Sequence, residues 1–167
     1  MDFNIPGVEH GSDMENLFKS AGFVVVNWGH CEQSLEMLVG ILFSQYGGNK
    51  LPKRKRIPKQ LSDKIEFVNE CIAQIPLIAA FSGELEKIMA DFTAIKQTRH
   101  DLIHGALTDY HATNGVFSFI RLETHPDIHE VKPFEFDLKE FPSLASTLLR
   151  LGENTARIVK RIFDARS

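Results

Sequence analysis

Arg99-His100-Asp101-Leu102-Ile103-His104-Gly105-Ala106-Leu107-Thr108-Asp109-Tyr110-His111 is the stretch in which the chain changes its period, and that change decides the fold. Before it, apolar residues at Leu85, Ile88, Phe92 and Ile95, then Leu102, recur at the spacing of one face of an α-helix. After Gly105 the runs Ala106 to His111 and Val116 to Leu122 flank Asn114-Gly115, a dipeptide that readily takes the positive φ angles of a tight hairpin turn. A helix therefore gives way to a β-hairpin at Gly105, which stands just beyond the helix's last turn. Arg99 falls in a slot of the helical stripe that should be apolar. A guanidinium is always charged and costly to bury unpaired, so Arg99 faces a polar cleft, answers a carboxylate from another helix, or lines a subunit interface.

Working outward, the helix that ends at this motif begins near Phe81 or Ser82. It is preceded by a second helix with Leu61, Ile65, Val68, Ile72 and Ile75 in register, ended by Pro76. The first helix opens with Ser12 and Glu15 in capping-box spacing and carries the stripe Leu17, Ala21, Val24, Trp28, Cys31, Leu35, Leu38, Leu42 to about Tyr46, where Gly47-Gly48-Asn49 stops it. Gly22 marks a possible bend. At roughly 30 residues, or about 45 Å, this helix exceeds what a small core needs, leaving surface for a partner. On the far side of the hairpin a short third strand is open from Val131 to Phe136, interrupted by Pro133. A last helix starts near Phe141-Pro142, after cap signals at Asp137 and Glu140, and buries Ala145, Leu148, Leu151, Ile158 and Ile162. The expected architecture is mainly α: a four-helix up-and-down bundle with a small antiparallel β-hairpin inserted before the last helix.

No Gly/Ser-rich or Pro-rich stretch divides the 167 residues, so one domain over 1–167 is expected. A hydrophobic fraction of 43% and a charged fraction of 25% suit a globular protein, and a net charge of −3 excludes global attraction to nucleic acid. Any polyanion site must be local. The longest apolar runs, Phe23 to Val26 and Leu77 to Phe81, are far too short to span a membrane, and no export signal is visible. Cys31 and Cys71 lie inside helices without metal-ligand spacing, which suits buried small side chains in a reducing cytosol; a cytoplasmic protein is expected.

The order of long helix, basic loop, two helices, hairpin and final helix, with Arg99, His100 and His104 at the end of the third helix, resembles the HEPN (higher eukaryotes and prokaryotes nucleotide-binding) superfamily. That family's signature is an arginine, a polar residue after it and a histidine a few positions on. The resemblance implies metal-independent RNA cleavage of toxin-like type, with Arg99 and His104 of two subunits facing one cleft of a homodimer. It implies no cofactor. It also implies partners of two kinds, a cognate antitoxin or a modifying nucleotidyltransferase, although no tyrosine falls within Arg99 to Gly105 to receive a modification. The family includes non-catalytic members, so a dimeric binding module is the rival reading.

The residue types suit that chemistry. A neutral imidazole can take the proton of a ribose 2′-hydroxyl, its charged form can protonate the leaving oxygen, and a guanidinium offers paired donors to a phosphorane. On an unbroken helix Arg99 and His104 point about 140° apart, so either a loosened last turn or a second subunit has to reconcile them. His100, where the family commonly has Asn or Asp, is expected to line the cleft. Glu32, one turn beyond Trp28, either orients Arg99 or is a flanking carboxylate, and Asp101 is either solvated or orients an imidazole. Trp28 is expected in the core. His100 and His104 are four apart and can share a metal from one helical face with His30 or Glu32, but no Cys or further His completes a site, so no metal is expected. The loop from Lys50 to Lys59 carries six cations; Lys53, Arg54, Lys55 and Arg56 are its candidates for the RNA backbone, against a merely solvated loop without stacking aromatics. His10, His111, His125 and His129 share no spacing and are given no role.

Overall fold

The computed structural model describes residues 12–52, 54–111, 115–125 and 128–166. Lys53, Asn114, Pro126 and His10 lie outside the described residues, as do the side chains of Ser12, His111, His125 and His129. The chain is mainly helical, with helices α1 (Ser12–Gln45), α2 (Leu61–Gln74), α3 (Ser82–His104) and α4 (Phe141–Asp164). Between α3 and α4 stand strands β1 (Ala106–His111), β2 (Val116–His125) and β3 (Ile128–Asp137). Short 3-10 turns at Gly48–Lys50, Pro76–Phe81 and Leu138–Glu140 complete the order.

The apolar stripe of α1 is buried as its spacing demands: Leu17, Val24, Trp28, Cys31, Leu35, Leu38 and Leu42 are all in the core. Its main partner is α4, whose Leu148, Leu151, Ile158, Val159 and Ile162 face it across one continuous apolar cluster. Fully burying each leucine contributes about 1.5–3 kcal/mol, which is why 34 residues of α1 run unbroken through Gly22, where a bend was open. In α2 the buried residues are Lys64, Phe67, Val68 and Cys71, while Leu61, Ile65 and Ile72 are only half-buried. The helix is thus rotated from the face its leucine and isoleucines mark. Lys64 is tolerated there because its stem lies on apolar surface while Nζ reaches Glu36 of α1 at 2.8 Å.

The insertion before α4 is a three-stranded antiparallel sheet in the order β1-β2-β3, not the hairpin expected from the sequence. Pro133 is accommodated because β3 is an edge strand, so its missing N–H removes nothing from the sheet interior. β3 extends over ten residues rather than the six between Val131 and Phe136. Gly115 does take the positive φ, 71°, of the β1–β2 turn. One sheet face packs inward through Phe117, Phe119 and Phe136, with Phe119 and Phe134 stacked at 4.9 Å between ring centres. Gly105 is not the left-handed cap its position suggested: its φ is −74° and its backbone extended. Glycine is needed there for space, since a Cβ would lie 2.5 Å from the Phe134 ring and 2.6 Å from the Asp101 carbonyl oxygen. Among the described residues no single helix is long and apolar enough to cross a membrane.

Candidate functional site

Arg99 lies half-buried on α3, its guanidinium carbon 5.7 Å from the centre of the Trp28 ring. Trp28 itself is core, 1% exposed and edge-on to Phe92 at 5.8 Å. The register that placed a cation in an apolar slot is resolved by the indole face, which attracts a guanidinium by roughly 1–2 kcal/mol. Neither the Nε of Arg99 nor the Nε1 of Trp28 has a hydrogen-bond partner, although both atoms are buried. Each such donor costs about 1–3 kcal/mol, so the fold tolerates a local deficit beside this cleft.

Both residues line an open cleft of about 390 Å³. Its walls are α1 through Trp28 and Glu32, the start of α2 through Leu61 and Ser62, α3 through Lys96, Gln97, Arg99 and His100, and β2 through Arg121 and Glu123. His100 is exposed at its rim, and loss of water there together with the positive charges of Arg121, His104 and Arg99 holds its imidazole below the usual histidine range. It is therefore biased toward the neutral form. His104 is also exposed and sits outside the cleft lining, with its ring centre 4.7 Å from that of His100.

α3 stays regular through His104, and the Gly105 amide closes its final turn on the Asp101 carbonyl at 2.8 Å. The last turn is not loosened. Arg99 and His104 therefore diverge by about 140° on one helix, whereas His100 and His104 are only about 40° apart. Of the reconciling routes read from the sequence, the approach of a second copy remains.

Sequence reasoning missed Arg121. It is 8% exposed, donates through Nη1 to Asp101 and through Nη2 to Glu123, and its Nε has no partner. Glu123 in turn accepts from Lys132 of β3 at 2.6 Å; Lys132 first and then Arg121 hold its carboxyl below the usual range. The signal was present in the sequence: Phe117, Phe119 and Arg121 alternate on one strand, so a charge occupies an inward position just as Arg99 does on α3. Asp101 is half-buried between Arg121 and the Gln97 amide, 2.7 Å away, and so belongs to this ion-pair network rather than to solvent.

The remaining candidates are scattered. Glu32 lines the cleft, but among the described residues it makes no ion pair with Arg99. In the basic loop, Arg54 has a side chain only 13% exposed and pairs with Glu70 at 2.7 Å and Glu66 at 3.2 Å on α2, so it fastens the loop to the helix. Lys55 and Arg56 are exposed. Burial pushes the thiols of Cys31 to about 11 and Cys71 to about 12, which leaves no thiolate for nucleophilic chemistry. Among the described residues no group of three or more His, Cys, Asp or Glu is arranged to hold a metal.

The chain matches no family model, no curated protein and no solved structure. What the site offers is thus read from its own residues: the Arg99 guanidinium and Lys96 beside an imidazole biased toward the neutral form, in an open cleft that the Glu32 and Glu123 carboxylates also line and in which Arg121 is already taken by Asp101 and Glu123. That set suits a phosphate ester, whose oxygens accept from guanidinium and whose substitution needs proton transfer.

Proposed function

We propose that the protein is a HEPN-like, metal-independent endoribonuclease of toxin-like type, acting in the cytoplasm at a composite site across a homodimer. The observation that carries this reading is the inward Arg99, lying on Trp28 with an unfilled Nε donor in the same cleft as His100. A neutral imidazole takes the proton from a ribose 2′-hydroxyl, and the freed oxygen attacks the adjacent phosphorus. The 5′-oxygen leaves with a proton from an imidazolium, while Arg99 holds the phosphorane oxygens as charge builds. The divergence of Arg99 and His104 on one helix favours their meeting across a twofold axis, with the four helices as an up-and-down scaffold. A cognate antitoxin or nucleotidyltransferase is the partner this reading implies.

One observation favours a non-catalytic dimeric module instead: His104 is the last residue of α3 and is exposed, where a cation is stabilised by the helix dipole without doing chemistry. Incubation of the protein with mixed RNA in EDTA separates the two. Cleavage by the parent and a loss of at least about 100-fold in both Arg99→Ala and His104→Ala, at matched melting temperature, supports the nuclease. Equal residual cleavage in all three chains supports the module.

A further inference from the structure

The sheet is joined to the end of α3 by two contacts of different kinds. The Phe134 ring closes on Gly105, and Arg121 reaches Asp101. The first is apolar and has no direction beyond shape. The second is ionic and oriented, since Arg121 is also held by Glu123, which Lys132 holds from the neighbouring strand. Two cations, Arg121 and Lys132, meet three carboxylates, Asp101, Glu123 and, at 3.9 Å from Lys132, Glu130, so this chain of contacts adds no positive charge to attract a substrate. A buried ion pair is seldom a net source of stability, because removing both charges from water offsets most of their attraction. Docking the sheet would be served as well by another phenylalanine, and Arg121 leaves a buried donor unfilled besides. What an oriented pair provides that packing does not is a defined position for Asp101, which follows His100 directly and precedes His104 by three residues.

We propose that Arg121, which stands outside the Arg99–His104 motif, is a positioning residue: acting through Asp101, it fixes the last turn of α3 and with it the placement of His100 and His104 beside the cleft. This deepens the nuclease reading and rests on it for its catalytic consequence alone; the placement of the imidazoles is readable without RNA. The charged and titratable groups acting on His100 are Arg99 and His104 from its own helix and Arg121 and Glu123 from β2, while Lys96 of α3 and Glu32 of α1 line the same cleft. Arg121 is the one among them anchored by carboxylates from both α3 and the sheet.

The test is an NMR titration of the imidazoles in the full chain, with signals assigned through His100→Gln and His104→Gln, for the parent, Arg121→Gln, Arg121→Lys and Asp101→Asn. In Arg121→Gln the midpoint of His100 should rise, because a nearby cation is gone and Asp101 is left unneutralised. The chemical shifts of both imidazoles at high pH should move as well. Arg121→Lys, which keeps the charge and loses the fork, should hold the midpoint of His100 near that of the parent while the high-pH shifts still move, and this variant decides the matter if Arg121→Gln does not fold. With RNA, Arg121→Lys should lose at least about tenfold in kcat with little change in KM, as expected when the geometry of reacting groups is lost rather than binding. Imidazole signals and midpoints unchanged in Arg121→Gln and Arg121→Lys overturn the proposal. Absence of cleavage by the parent itself overturns the nuclease reading and leaves the imidazole result to decide the positioning role.

Discussion

The α1–α4 interface is apolar, the cleft beside α3 is lined mainly by charged and polar side chains, and the two treat buried polar atoms in opposite ways. Between α1 and α4, Tyr46 donates to the Ile162 carbonyl at 2.6 Å and the Cys31 thiol to that of Leu148 at 3.5 Å, while buried Thr155 donates within α4 to Leu151 at 2.7 Å. In the cleft the Nε1 of Trp28 and the Nε atoms of Arg99 and Arg121 have no partner, and among the described residues these are the buried side-chain donors left unfilled. These three donors all belong to residues that line one cleft, so the local inconsistencies of the fold are concentrated there. The interface holds the fold; the cleft is held by it.

That contrast can be broken at either end. The largest effect should come from Leu148→Ala, which empties a fully buried site against α1 and should cost about 2–5 kcal/mol in urea denaturation. Next is Gly105→Ala, where the new methyl must displace the Phe134 ring or the helix end, for a loss of about 1–3 kcal/mol by the same measurement. Arg99→Met, in the cleft, should change stability by less than about 1 kcal/mol, because the indole contact it gives up is offset by removal of an unfilled donor. A cost there as large as that of Leu148→Ala would make Arg99 a core residue and erase the difference between the two regions.

The smallest effect is one of pH. The folded state holds His100 below its ordinary value of 6.5, so the unfolded chain binds the proton more readily. The contribution of His100 to stability is therefore full above that value and is lost as pH falls through the lower folded value. The melting temperature of the parent should drop more between about pH 8 and pH 5 than that of His100→Gln. An equal drop in both chains would mean that the cleft does not disfavour the imidazolium.

The long helices were legible because they are written in local periodicity: the stripe on α1, Ala21 apart, and the α3 stripe from Leu85 to Leu102 are buried as spaced, whereas α2 is turned from the face its spacing marks. β3 was legible only in part. Pro133 interrupts its alternation, and whether an interrupted strand pairs depends on its being at an edge, which is a property of the sheet and not of the segment. The role of Gly105 was missed for a similar reason, since the ring it makes room for lies 29 residues further on at Phe134. Arg99 could be singled out because a charge interrupts a helical stripe, and Arg121 interrupts a strand in the same manner. It was overlooked because a strand of period two in which only three positions face inward makes a weaker pattern than a helix of six turns. The pairing of Arg54 with Glu66 and Glu70 was hidden by the reading of its loop as a run of like charges; the carboxylates that answer it are four residues apart on the next helix.

The central claim is that Arg99 of one copy works with His104 of another. It is tested most directly by co-refolding Arg99→Ala with His104→Ala and assaying the mixture on RNA in EDTA, with light scattering to confirm that dimers form. Random pairing makes about half of the dimers mixed, and each of these retains one intact Arg99 facing one intact His104. The mixture should therefore recover cleavage that neither variant shows alone. Dimers that form and remain as inactive as the separate variants would contradict the account.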